Sequence, residues 1–329
     1  MTAAPNSPQT VAVVRCPNYV PERVRFAVGR LWDLLDPNHS LIRRGDRVLI
    51  KPNCIVPRPP SAAAQTDPTV ILGIAELVRD LGGRPVVADS TAWGTIRACL
   101  EALGILDELK RRGIEVRTLN HPQAIRLPGV SGFRVPISRV ALEADRIINL
   151  PKLKSHQQLG ATFAVKNMFG VVPGKRKPLW HYLKGARHED FCRMLIEIFR
   201  KLNPAVNIID AVVGMEGPGP INGRPRPLGA IIGGIDPIAC EMICCELIGF
   251  DPFTLPILHT ARSIGFGCSE RNDIEVVGDR YDDLICHDFQ PAVQTPLRFS
   301  LPRVCKSIAK QTAYILQKRL LGTNKMVEY

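Results

Sequence analysis

Short apolar runs rich in Val and Ile alternate along this chain with segments of helical periodicity, and this alternation restricts its fold more than any other feature. "TVAVVRC" precedes "PERVRFAVGRLWDLL", "DRVLIKPN" precedes "DPTVILGIAELVRDLG", and "PVVADST" precedes "TIRACLEALGILDELKRRG"; "EVRTLN" and "RIINLP" follow. The strand-like runs are apolar at successive positions, so both faces of each strand need cover. Helices on both faces of a sheet supply that cover. The pattern therefore predicts an α/β class with a mainly parallel, doubly wound sheet.

Further along, "HEDFCRMLIEIFRKLN" places Phe191, Met194, Leu195, Ile198, Phe199 and Leu202 on one stripe of a helix. A strand "AVNIIDAVVGM", a glycine- and proline-rich loop "EGPGPINGRPRPLG", a strand "GAIIGGID" and a helix "PIACEMICCELIG" complete the pattern. Asp67-Pro68, Asp236-Pro237 and Asp251-Pro252 each read as a helix start, with Asp accepting from free backbone amides and Pro at the first helical position. Residues 1–9 are expected to be a disordered N-terminus, and 10–297 the α/β domain, dividing into two lobes near 150 or sharing one sheet. Residues 298–329 are expected to be a basic amphipathic helical tail, with Val304, Ile308, Ile315, Leu316 and Leu320 in its apolar band. Such a tail docks on the protein's own core or a second subunit, making a homo-oligomer; peripheral contact with an anionic membrane is the alternative.

Of 329 residues, 45% are hydrophobic and 22% charged, a balance suited to a soluble globular protein. No apolar run approaches the roughly 18 residues of a membrane span, and "MTAAPNSPQT" has no signal-peptide character, so a cytoplasmic location is expected. The ten cysteines are scattered without any C-x-x-C, so they read as reduced core thiols. No iron–sulfur motif is present, and the sequence assigns no cofactor and no metal.

The formal charge of +12 is concentrated in two segments: Pro151 to Lys201 carries 11 basic against 3 acidic residues, and Arg298 to Tyr329 carries 7 against 1. Basic segments favour acidic small molecules or anionic surfaces. Nucleic acid is disfavoured, because aromatic residues are 6% of the chain and do not interleave with the basic runs.

In an open α/β sheet ligands bind beyond the carboxyl ends of strands, which gives weight to the polar residues placed there. Lys51 and Asn53 follow one strand, Asp89, Ser90 and Thr91 another, and Asp210 a third, with Glu216 beyond it. In "NLPKLKSHQ", extended geometry puts Lys152, Lys154 and His156 on one face and Leu153 on the other, and Lys166 and Asn167 follow ten residues later. Clustered cations repel one another unless an anion sits among them or carboxylates pair with them. Lys152 and Lys154 are thus candidate carboxylate or phosphate contacts, against the plainer reading of a solvated edge strand. His156 is a candidate proton donor or acceptor, Lys166 an anion contact, base or Schiff-base amine, and Asp210 and Glu216 candidate proton acceptors or cation ligands. Gly217 and Gly219 permit close backbone approach in a shaped loop that matches neither the phosphate-loop nor the dinucleotide fingerprint.

Taken in order, "VLIKPN" (Val48 to Asn53), "TDP" (Thr66 to Pro68), "LPKLKSH" (Leu150 to His156), "AVKNMFG" (Ala164 to Gly170), "GMEGPGP" (Gly214 to Pro220) and "GIDPIA" (Gly234 to Ala239) resemble the domain-of-unknown-function family 362. The resemblance runs from about residue 10 to residue 280. Its motifs match Lys51, Asn53, Thr66, Lys152, Lys154, His156, Lys166, Asn167, Glu216 and Gly217. It implies an α/β domain often found beside iron–sulfur modules, and hence redox-linked chemistry with a redox partner; the ferredoxin-like cysteine motif of many relatives is missing here. The leading expectation is an enzyme acting on an anionic small molecule. A redox accessory protein and a non-catalytic module docked through its tail are the competing expectations.

Overall fold

The computed structural model describes residues 8–298 apart from 131 and 174–176, together with 309. The expected N-terminal segment and basic tail therefore lie outside the described residues, save for 8, 9, 298 and 309. In chain order the first half runs β1 (Gln9–Arg15), α1 (Pro21–Leu35), β2 (Arg47–Pro52), α2 (Pro68–Asp80), β3 (Arg84–Asp89), α3 (Ile96–Ala102), α4 (Leu106–Arg111), β4 (Glu115–Thr118), β5 (Pro122–Ile125), β6 (Val135–Ser138), α5 (Arg139–Leu142) and β7 (Arg146–Leu150). Then come β8 (Lys152–His156), β9 (Gly160–Thr162), α6 (Ala164–Asn167), α7 (Lys177–Lys184), α8 (His188–Leu202), β10 (Val206–Glu216), β11 (Arg224–Gly234), α9 (Pro237–Leu247), α10 (Pro256–Ser263) and β12 (Ile274–Gly278).

One sheet runs β12-β1-β11-β10-β7-β2-β3-β4, with β8 added to β10 and β9 to β8; β5 and β6 form a separate hairpin. The pairings of β2, β3, β4, β7 and β10 are parallel, as are β1 with β12 and β8 with β10, whereas β11 is antiparallel to both neighbours. Strands from both sides of residue 150 share this sheet, since β7 pairs with β10 and β1 with β11.

Successive residues of one strand belong to different cores. Val11, Val13 and Leu49 join the cluster built on α8, α9 and α10, while Ala12, Val14, Val48 and Ile50 join the one built on α1, α2 and α3. Continuous apolar runs are thereby explained: both faces are dry, and each large buried side chain contributes roughly 1.5–3 kcal/mol. The mainly parallel, doubly wound α/β reading holds.

Local differences have local causes. The expected helix after Thr95 breaks into α3 and α4 where Gly104 adopts a φ of 76°, outside the helical region. The expected loop from Glu216 to Gly229 is shorter, because the chain re-enters the sheet at Arg224, opposite Glu216. β1 covers β11 only from Ala230 onward, so Pro225 and Pro227 sit on an edge, where a missing amide proton is tolerated. Asp67 and Asp236 cap α2 and α9 as expected, but Asp251 caps only a single 3-10 turn, and α10 starts later, at Pro256.

The chain after β2 proceeds to β3 on one side, and the chain after β7 proceeds to β10 on the other. Between β2 and β7 the winding therefore reverses. Pairing of these two strands ends at Pro52 opposite Leu150. Pro151 then accepts the Asp210 amide at 2.9 Å, and β8 continues along β10 while β2 departs, which opens a crevice at the carboxyl ends.

Candidate functional site

A cavity of about 470 Å³ occupies that crevice. The end of β2 supplies Lys51 and Asn53, the end of β3 Asp89 and Ser90, β8 supplies Lys154 and His156, α6 supplies Lys166 and Asn167, and α7 supplies Lys177 and His181. Cys54, Ile55, Trp93, Phe169 and Ile221 add apolar wall.

Its floor is a neutral, fully bonded unit. The Lys51 ammonium, buried, pairs with Asp89 Oδ1 at 2.9 Å and also donates to the Pro52 carbonyl. Asp89 accepts in addition from the amides of Ser90 and Cys54. These donors fix the orientation of the carboxylate. Close approach of Gly170 depends on its missing side chain, because a Cβ there would collide with Asp89 Oδ1 and the end of Lys51.

Beside the floor runs a chain of side-chain amides. Lys154 Nζ donates to Asn53 Oδ1 at 2.6 Å, Asn53 Nδ2 to Asn167 Oδ1 at 3.0 Å, and Asn167 Nδ2 to Asn149 Oδ1 at 2.8 Å. Asn149 Nδ2 continues to Asn207 Oδ1, and Asn207 to the Gly234 carbonyl. Thus β2, α6, β7, β10 and β11 are tied together beneath the cavity. Thr66, which does not line the cavity, fixes the departing strand by accepting from the Asn53 amide and donating to the Leu150 carbonyl.

The cations divide by their partners. Lys152 does not line the cavity: its ammonium pairs with Asp210 at 2.8 Å, with both groups buried, and Tyr19 bridges the two. Lys154 donates to Ala64 and Pro220 carbonyls besides Asn53, so its three protons are committed. Lys177 donates to the Ser90 carbonyl. Lys166 lies over the Phe169 ring at 4.5 Å and the Phe191 ring at 5.9 Å, and no described residue accepts a hydrogen bond from it. Among the described residues, none of Lys154, Lys166 and Lys177 has a carboxylate within ion-pair distance.

Burial lowers all three. Lys154 is brought down to about 7 by burial and then by the charges of Lys152 and Lys166, and Lys177 to about 7 chiefly by burial. Lys166 falls to about 8, again chiefly by burial. His156 is pushed well below its ordinary value by burial, then by Lys166, and is neutral. Its Nδ1 accepts the Gln158 amide at 3.1 Å, which leaves the ring proton on Nε2 as a donor.

Of the residues singled out in the sequence, the cavity gathers Lys51, Asn53, Asp89, Ser90, Lys154, His156, Lys166, Asn167 and Gly219. Lys152, Thr66, Asp210, Glu216 and Gly217 stand outside its lining. Glu216 is engaged with the Gln290 amide and with Arg224, and Gly217 accepts from Ser155 Oγ. β8 is buried along its whole length, which removes the edge-strand alternative. His181, Trp93 and Phe169 were not singled out as site residues. Lys177 was signalled only by the basic excess of "PGKRK", and His181 by nothing, since α7 reaches the cavity through the tertiary fold. Among the described residues, no three His, Cys, Asp or Glu side chains converge as a metal site.

An open, mainly parallel sheet covered by helices, with a cation-lined cavity at its reversal point, places the chain among the doubly wound α/β proteins. This chain belongs to the family described as Domain of unknown function (DUF362), whose model matches residues 48–246 and so spans all six of the motifs quoted above. A thylakoid-associated protein of Synechocystis sp. is 32% identical over 303 residues, covering 92% of this chain and 94% of that one. The lactate racemase apoprotein of Thermoanaerobacterium thermosaccharolyticum aligns at a TM-score of 0.46 with 14% identity, over 72% of this chain and 56% of that one. No helix among the described residues is long and apolar enough to cross a membrane.

Proposed function

We propose that the cavity binds an anionic small molecule bearing a carboxylate or phosphate, and that the protein is an enzyme acting on it. One observation carries this reading: Lys154, Lys166 and Lys177 converge on one cavity and, among the described residues, no carboxylate pairs with any of them, Asp89 being taken by Lys51. Lys154 is buried and Lys166 and Lys177 are half-buried; ammonium groups so withdrawn from water and left uncompensated are costly, and an anionic ligand relieves that cost by supplying the missing charge. Lys166 and Lys177 make the contacts, because Lys154 is committed to the surrounding loops. Neutral His156 presents a hydrogen-bond donor to the bound molecule, and Asn53 and Asn167 hold the wall in place. A volume of about 470 Å³ suits a metabolite-sized ligand.

Calorimetric titration with inorganic phosphate and with small mono- and dicarboxylates tests the reading. Binding by the native protein and at least tenfold weaker binding by Lys166→Met and Lys177→Met are expected. Retained affinity in the folded double variant would overturn the assignment. We place the protein in the cytoplasm; fractionation that recovers it with membranes after a salt wash would contradict that placement.

A further inference from the structure

We infer that Lys166 is a nucleophilic amine that forms an imine with the carbonyl group of a small oxo acid held in the cavity. The inference rests on the anion-binding reading above and goes on to name the substrate class. Among the four described lysines that line the cavity, Lys166 is singled out by geometry. Lys51 is locked to Asp89, Lys154 donates to three acceptors, and Lys177 to the Ser90 carbonyl. Among the described residues no group accepts a hydrogen bond from Lys166, which lies over the faces of Phe169 and Phe191, so its nitrogen keeps both its donors and its lone pair for a ligand. Withdrawal from water favours the neutral amine here against the pull of the ring faces, which by themselves attract an ammonium.

The neighbouring groups fit the reacting atoms of an oxo acid. The carboxylate lies toward Lys177, and the carbonyl carbon toward Lys166. Neutral His156, with its proton on Nε2, donates to the carbonyl oxygen as negative charge develops there. The amine lone pair forms the N–C bond while the C=O π pair moves to oxygen, and one N–H proton transfers to that oxygen to give a carbinolamine. The C–O bond then breaks, the hydroxyl leaves with the second N–H proton as water, and the nitrogen lone pair closes the C=N bond. Both amine protons leave with the oxygen, so the step needs no oxidant, reductant or co-reactant. Burial brings Lys166 down to about 8, so at pH 7 its free-amine fraction is roughly 300 times that of a lysine at the ordinary value.

The test is reductive trapping on the full-length protein. Pyruvate or glyoxylate is added at pH 7 with cyanoborohydride, and lysine modification is located by peptide mass spectrometry. Modification at Lys166 at least about tenfold faster than at the exposed Lys110 is expected, together with its loss in Lys166→Arg, which keeps the positive charge. Modification spread evenly over surface lysines, or concentrated at Lys154 or Lys177, overturns the inference. Calorimetry with phosphate on the same samples separates the two readings: phosphate binding without a Lys166 adduct removes the imine and leaves the anion site, whereas no binding and no adduct removes both.

Discussion

Lys154 donates to Asn53 Oδ1 at 2.6 Å, and Asn53 in turn donates to Asn167 Oδ1 at 3.0 Å, so a buried ammonium is coupled through one neutral amide to the helix that carries Lys166. The coupling partner is an amide where a carboxylate would fit, and this keeps the cavity positively charged.

Asn53→Asp would place a negative charge on Lys154 and neutralise part of the field that draws an anion in. Phosphate affinity is expected to drop about tenfold, the equivalent of roughly 1.4 kcal/mol, with the fold intact. Asn53→Ala, which adds no charge, should lose less. Equal losses in the two variants, read by calorimetry, would show that the amide's charge state is irrelevant.

Lys152 and Asp210 form the second buried pair, outside the cavity. Asp210→Ala leaves the Lys152 ammonium buried without its partner and strips the acceptor from Tyr19 and from the Asp67 amide. A loss of about 3–5 kcal/mol in urea denaturation is expected. At concentrations where the variant remains folded, its phosphate affinity should match that of the native protein; a selective loss of binding would return Asp210 to the site.

The layered fold was legible because burial on both faces leaves its mark in every strand, as in "VLIKPN" and "RIINLP". Strand-end logic likewise brought Lys51, Asn53, Lys154 and His156 to one crevice. It could not separate Lys152 from Lys154: they share a strand face, but Lys152 meets Asp210 across β10, and Lys154 meets a loop from residue 64 and another from residue 220. Partners so distant in sequence are fixed by the fold alone. Lys177, signalled only by its basic run, and His181 could not be placed for the same reason, since a helix of eight residues carries no sign of which cavity it closes.

Anion affinity should fall as pH rises. The ammonium forms bind the anion, and Lys177 and Lys166 lose their protons in the folded protein near 7 and 8, because burial favours the neutral amines. Affinity for a permanently charged probe such as sulfate is thus strongest below pH 6.5 and weakens progressively through pH 9. A bound anion raises both values, so binding at pH 8 is accompanied by proton uptake. Titrations in buffers of different ionisation enthalpy measure that uptake, and a flat profile from pH 6 to 9 would contradict the arrangement.

Glu241 on α9 is buried, and its Oε1 accepts the Val165 amide at 2.7 Å at the start of α6. Burial raises it to about 8, against the opposing pull of that amide, so the folded protein holds a proton there that the unfolded chain releases above about 4.5. Between these values the native state binds more protons than the unfolded state, and the contribution of Glu241 to stability declines as pH rises from about 4.5 through 8. Glu241→Gln keeps an acceptor for Val165 and cannot ionise. Native and variant proteins should therefore be nearly equal in stability at pH 5, and the variant should exceed the native protein by on the order of 2–4 kcal/mol at pH 9. Groups common to both proteins cancel in the difference. Urea denaturation at pH 5, 7 and 9 measures it, and parallel stability curves would place Glu241 in a wetter setting than the one beneath α6.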